Sequence, residues 1–292
     1  MKDNLFNCIK NYRVRYVGLF ETLVKWTINR NKSYHNIDLE GLKQKRKSDT
    51  IFILGGSEAI NSISQKQWDE IAKNDSIGIN WWPVHDFVPT YYYSNYPRNK
   101  IHFQYYKRII GKRSQRYKNK SIFFISGNRA AQRGLHPRVI PELFPDSPQF
   151  FFYNYENPLV LQKGSFSSAS FDRTIYYRGA LSLLLSLVDK IGYKNIVLMG
   201  IDLKNRVHFY DKYPEMQWQF ETGYCEPVNI KKNQINTTID TKNNTKLPMD
   251  EYIYAVNELY FQPKNVSLYV GSSESLLSKK IPVYRFLNNE RI

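Results

Sequence analysis

Cysteine is nearly absent: the 292 residues hold only Cys8 and Cys225. Two thiols so far apart support neither a disulfide scaffold nor a cysteine-based zinc site, and they point to a reducing, cytoplasmic setting. Histidine is scarce too. His35, His85, His102, His136 and His208 share no metal-ligand spacing, so no metal is expected. The apolar run near the start, residues 16–26, is broken by Glu21 and Lys25 and falls short of the ~20 residues that span a bilayer. No secretory leader is visible. Acid is in short supply, with 26 Asp and Glu against 42 Lys and Arg, a formal charge of +16. Such an excess calls for an anionic partner: nucleic acid, an acidic membrane leaflet, or small molecules bearing phosphate and carboxylate. The basic residues are spread along the chain without an RNA- or DNA-binding motif, which argues against nucleic acid.

What is present builds a core. The apolar fraction is 42%, and 23 tyrosines offer flat faces with a polar tip that suit core edges, sugar platforms and membrane interfaces alike. Residues 4–29 read as an amphipathic helix, with Leu5, Ile9, Tyr12, Tyr16, Leu19 and Leu23 at three- and four-residue steps and Lys10, Arg13 and Arg15 between them. A basic helix carrying Phe20 and Trp26 fits an anionic inner leaflet; docking on the domain or a dimer contact would bury the same stripe. Residues 30–49, with Lys43, Lys45, Arg46 and Lys47, read as a solvated linker, so 1–49 form an appendage and 50–292 one domain.

That domain opens on Ile51-Phe52-Ile53-Leu54 and Gly55-Gly56-Ser57, then Ile60, Ile63, Trp68 and Ile71: a buried parallel strand, a tight turn and a helix. Further strands are expected at 76–80, 90–93, 121–125, 149–153, 195–199 and 267–270, and the clearest helix at 179–191, stopped by Gly192. Strands alternating with helices imply an α/β, Rossmann-like, mostly parallel sheet covered on both faces. Residues 211–250 are polar and aperiodic, and a lid is expected over about 205–250.

In such sheets ligands sit at the carboxyl ends of the strands. Gly55-Gly56-Ser57 could set backbone N–H groups and a helix N-terminus against a phosphate, Asn80 could read a base or ribose, and Asp202 could hold a ribose hydroxyl. Each of the three also fits an ordinary turn or cap. The dinucleotide fingerprint, a Walker A loop and an Asp-x-Asp pair are all missing, so any chemistry is expected to run without metal, on a donor with one phosphate.

The stretch from Tyr177-Arg178-Gly179-Ala180-Leu181 through Gly192 to Met199-Gly200-Ile201-Asp202 resembles the central helix–strand segment of the bacterial family 42 sialyltransferases and their lipopolysaccharide-biosynthesis relatives. The strand and loop 51–57, Gly78-Ile79-Asn80 and Ser275-Leu276-Leu277 are similar to other parts of that family, so that the likeness spans roughly 50–285. It implies a GT-A-like single nucleotide-binding domain and an inverting, metal-independent transfer of sialic acid, or a related nonulosonic sugar, from a CMP-activated donor. The acceptor would be a glycan or a lipid-linked acceptor in cell-surface lipopolysaccharide or capsule assembly, at the cytoplasmic side of the inner membrane. No cofactor beyond the CMP-sugar is implied. Gly55, Gly56, Ser57, Arg178 and Gly179 would line the donor pocket, Asn80 would meet the cytidine, Asp202 would close the nucleotide site, and Tyr210 would hydrogen-bond the donor phosphate.

The chain departs from that family in three places. Gly56 replaces an asparagine of the first loop, Lys204 replaces a phosphate-binding tyrosine, and the stretch Ile235-Asn236-Thr237-Thr238-Ile239-Asp240 lacks the family's basic histidine, leaving Asn236 near its place. An amide is no general base, so His208 and Asp240 become the candidates for deprotonating the acceptor. Without either, the chain would be a catalytically impaired sugar-nucleotide-binding protein of the same glycan pathway.

Overall fold

The computed structural model describes residues 37–94, 100–126, 149–152, 154–156, 173–240 and 247–286. The amphipathic stretch 4–29, with His35 and His136, lies outside them. Seven parallel strands form the main sheet in the order β5-β4-β3-β2-β1-β8-β9: β1 Thr50–Leu54, β2 Asp75–Ile79, β3 Tyr91–Tyr93, β4 Ile122–Ser126, β5 Gln149–Phe152, β8 Asn195–Met199 and β9 Ser267–Val270. All seven answer to the expected runs within a residue or two. A separate parallel pair, β6 Asn154–Glu156 with β7 Arg173–Ile175, was not expected.

The helices are α1 Leu39–Gln44, α2 Gln65–Lys73, α3 Lys100–Tyr117, α4 Ala180–Ile191, α5 Trp218–Glu221, α6 Val228–Lys232 and α7 Met249–Val256. Alternation along β1 sends Ile51 and Ile53 to one core with α1, α4 and α7, and Phe52 and Leu54 to the other with α2 and α3. Both faces are therefore covered, as a continuous apolar strand requires. Ten of the twelve residues of α4 are buried, because sheet, α1 and β7 surround it; Gly192 stops it in the left-handed region at φ 92°.

Three expectations are corrected. Residues 37–49 are not a solvated linker. Asp38 caps α1 through Gly41 N–H (2.8 Å), Leu42 is fully buried, the Arg46 guanidinium donates to the Gly192 carbonyl, and Lys47 N–H donates to Asp75 (2.7 Å). Ile37, Leu39 and Leu42 pack on the core, yet three apolar residues around a single six-residue helix carry too weak a period to reveal that it docks. The helix expected straight after Gly55-Gly56-Ser57 is split into a 3-10 turn, Glu58–Ser62, and α2, which Ser64 starts with a capping box to Gln67. The lid is also more structured than its composition suggested: 3-10 turns at Phe209–Lys212 and Pro214–Met216 precede α5 and α6, and Met216, Trp218, Gln219 and Lys231 are buried.

The tyrosine excess has a structural use in β3. Tyr91 and Tyr93 enter one core and Tyr92 the other; the Tyr193 hydroxyl donates to that of Tyr91 (3.0 Å), and the hydroxyls of Tyr92 and Tyr106 lie 2.6 Å apart. These buried phenols are tolerated because their tips find partners.

Candidate functional site

Strands β2 to β5 lie on one side of β1 and β8 on the other, so the chain changes direction between β1 and β8. At that switch point, outside the carboxyl ends of β1, β2 and β8, lies a cavity of about 610 Å³. Its walls include Gly55, Gly56, Ser57, Asn80, Gly179, Asp202, Lys204, His208 and Asn236. Nine of the sequence-derived site residues thus meet around one space, whereas Arg178, Tyr210 and Asp240 do not line it.

The two central loops are stitched together. Gly55 N–H donates to the Met199 carbonyl (2.7 Å) and Ser57 N–H to that of Gly200 (3.0 Å). A Cβ on Gly55 would collide with the Gly200 carbonyl oxygen and come within 2.5 Å of Ile201 Cγ1. This glycine allows two backbones to touch, and its N–H is not available to a phosphate. The Ser57 hydroxyl donates to Asp202 Oδ2. Burial pushes the Asp202 carboxyl up, while the Ser57 hydrogen bond and the Lys204 charge pull the other way. Asn80 ends β2 in the left-handed region (φ 56°), with its N–H on the Tyr93 carbonyl (2.7 Å) and its own carbonyl accepting from the Tyr92 hydroxyl.

A second helix end joins the expected one at the cavity. The turn after Ser57 is a short 3-10 segment whose Glu58 and Ala59 line the wall, and Gly179, Ala180 and Leu181, at the start of the twelve-residue α4, line it too. Gly179 offers no side-chain cap, and a Cβ there would meet only Met249 Cε at 3.8 Å. The first-turn amides of α4 therefore present the positive end of its dipole to the cavity. A helical run opening on glycine, without Ser, Thr, Asp or Asn in the cap position, was the available sequence signal. Glu58, Thr238 and Glu274 are further wall residues that the sequence reading missed.

His208 lies opposite the glycine loop. It bridges Ser57 in antiparallel fashion, the next residue's N–H donates to the Gly56 carbonyl (2.9 Å), and its own N–H donates to Asp211 Oδ2 (2.9 Å). Burial first, and the nearby Lys231 charge second, bring the imidazole down to about 4, so it is neutral at pH 7. Among the described residues, Lys204 is the only lysine or arginine on the wall, and its Nζ lies 2.7 Å from Glu274 Oε2.

Four assignments change. Tyr210 stacks against His208 (centroids 4.8 Å apart, planes 22°) and against Phe209 behind the loop rather than facing the cavity. The Arg178 guanidinium donates to the carbonyls of Thr237 (3.1 Å), Asp240 (2.8 Å) and Leu247 (3.4 Å), fastening the lid instead of lining the cavity. Asp240 is held in that clasp through its backbone, outside the cavity wall. Asn236 reaches the wall with both ends of its amide engaged: Nδ2 donates to the Asn205 carbonyl (3.0 Å), and Oδ1 accepts from Thr238 N–H (3.0 Å) and Oγ1 (2.7 Å). Among the described residues no group of three or more His, Cys, Asp or Glu is placed to hold a metal ion, and no helix is long and apolar enough to cross a membrane.

No family model and no curated protein sequence matches the chain. Solved structures similar in chain course include the monofunctional alpha-2,3-sialyltransferase Cst-I from Campylobacter jejuni, at 15% identity over 84% of this chain and 83% of that one, with a TM-score of 0.48. The sialyltransferase CST-II in complex with a trisaccharide acceptor and CMP aligns at 17% identity over 83% and 89%, TM-score 0.47. An alpha-2,3-sialyltransferase from Campylobacter jejuni in apo form aligns at 15% over 90% and 88%, TM-score 0.45. At such identities and scores the likeness says nothing of substrate, and the chemistry must come from the site.

Proposed function

We propose that the chain is a glycosyltransferase that moves sialic acid, or a related nonulosonic sugar, from a CMP-activated donor to a glycan acceptor with inversion and without a metal ion. The observation that carries this reading is the convergence of Gly55, Gly56, Ser57, Asn80, Gly179, Asp202 and Lys204, from separate stretches of sequence, on one cavity at the switch point. Asn80 and Asp202 supply polar groups for the nucleoside. The open first turn of α4 and the Lys204 ammonium offset charge growing on the leaving phosphate. His208 is the wall residue able to take the acceptor's proton. Its imidazole is already in the basic form, and an anionic donor bound beside it raises its proton affinity, since negative charge favours imidazolium.

The test is release of CMP from CMP-sialic acid with a galactose-terminated acceptor, together with calorimetry against CMP, UMP, AMP and UDP. Turnover that requires the acceptor, and tightest binding of CMP, are expected; preference for another nucleotide would sink the assignment. A second reading, a binding protein without turnover, is favoured by Asn236, whose amide is held at both ends where a base was expected. Heat with CMP but no release would select it.

The acceptor is proposed to lie at the inner membrane face, reached by the basic N-terminal stretch. Co-sedimentation of the full chain with phosphatidylglycerol vesicles, lost at high salt, is the expected result.

A further inference from the structure

Among its described residues the cavity wall carries three carboxylates, Glu58, Asp202 and Glu274, against one ammonium, Lys204, although the whole chain bears +16. The ammonium is already taken by Glu274. The pairing is built by the fold: Lys204 follows β8 and Glu274 follows β9, and the loops bearing them are laced by Leu276 N–H on the Asp202 carbonyl (3.0 Å) and the Ser275 hydroxyl on the Ile201 carbonyl (3.0 Å). Both side chains are largely open to solvent, at 43% and 77%, so the pair is weak and exchangeable.

We propose that Glu274 is a latch that occupies Lys204 in place of the donor phosphate, and that donor binding proceeds by transfer of the Lys204 ammonium from the Glu274 carboxylate to the phosphate. The inference rests on the CMP-donor reading above. Among the described wall residues, a phosphate approaching the closed pair meets two further carboxylates and no second lysine or arginine, so an anion unable to displace Glu274 is repelled. The Lys204 hydrogen bond holds the Glu274 carboxyl below its usual range, so the latch stays charged at neutral pH. Glu274 is thus a specificity residue that selects donors whose nucleoside contacts can offset the opening of the pair.

Calorimetry with CMP and with cytidine, on the full chain and on Glu274→Gln, Lys204→Met and the double variant, tests this. Glu274→Gln is expected to tighten CMP about threefold, and Lys204→Met to weaken it about tenfold. On the Lys204→Met background the Glu274 change should do nothing, and cytidine, lacking the phosphate, should bind all four proteins alike. Unchanged or weaker CMP binding by Glu274→Gln, with the unaltered chain binding CMP, overturns the latch alone. Tightening that persists without Lys204 marks plain charge repulsion and overturns it equally. No heat with CMP in any of the four overturns the donor reading and the latch together.

Discussion

Lys231 Nζ lies 2.5 Å from Asp211 Oδ2, with only 4% and 3% of the two side chains exposed. The same carboxylate accepts His208 N–H (2.9 Å) at Oδ2 and Gln219 Nε2–H (3.1 Å) at Oδ1. One buried acid therefore ties α6, α5 and the cavity histidine into a single unit.

Removing the ammonium leaves a buried carboxylate without its counter-charge. Lys231→Met is expected to destabilise the protein by about 3–5 kcal/mol, read as a shift of the urea midpoint. Asp211→Asn combined with Lys231→Met should recover part of that loss. A double variant as unstable as the single one would show that the pair is not the anchor.

Two of the cavity glycines, Gly55 and Gly179, differ in what surrounds them. Gly55→Ala drives a methyl into the Gly200 carbonyl and Ile201, so loss of stability together with CMP binding is expected. Gly179→Ala places its methyl in open space beside Met249, so the fold should persist while CMP binding weakens. Equal thermal stability of the two variants would contradict the close approach at Gly55.

The half-buried His208 imidazole has a folded value of about 4 against an ordinary value of 6.5. Between those values the unfolded chain binds a proton that the native chain does not, so stability falls as pH drops from 6.5 towards 4. His85, brought to about 4 mainly by burial, acts in the same direction. His208→Gln should flatten the acid-side decline by about one proton, measured by urea unfolding at several pH values. An identical slope in the variant would place the titration elsewhere.

Arg178 clasps the lid through three carbonyls. Arg178→Ala is expected to speed proteolysis within residues 237–247 and to raise KM for the acceptor, with CMP affinity changed less than twofold by loss of an exposed contact. A selective collapse of CMP binding would return Arg178 to the donor pocket.

Continuous apolar runs ending in glycine made the central strands β1 and β8 legible, because a strand buried on both faces has no polar side to obscure it. The site was legible in part for the same reason. Gly55, Asn80 and Asp202 follow strands, and strand ends of a parallel sheet share one rim. Direction was not legible. Arg178 beside Gly179 looked like a donor-pocket residue, yet its guanidinium turns to the lid, and Tyr210 stacks on His208 away from the cavity wall. Neighbours in sequence separate by side-chain orientation, which depends on what packs around them.

By itself, then, the order of residues determined the layered parallel sheet, the helix 180–191 with its glycine stop, and the set of strand ends facing one side. Only the tertiary structure decided that α4, as well as the turn after β1, brings its N-terminus to the cavity, that residues 37–49 dock, and that Lys204 meets Glu274. The physical reason is range. Burial periodicity and turn chemistry act within a few residues, whereas a pairing across 70 positions exists only once β8 and β9 lie side by side.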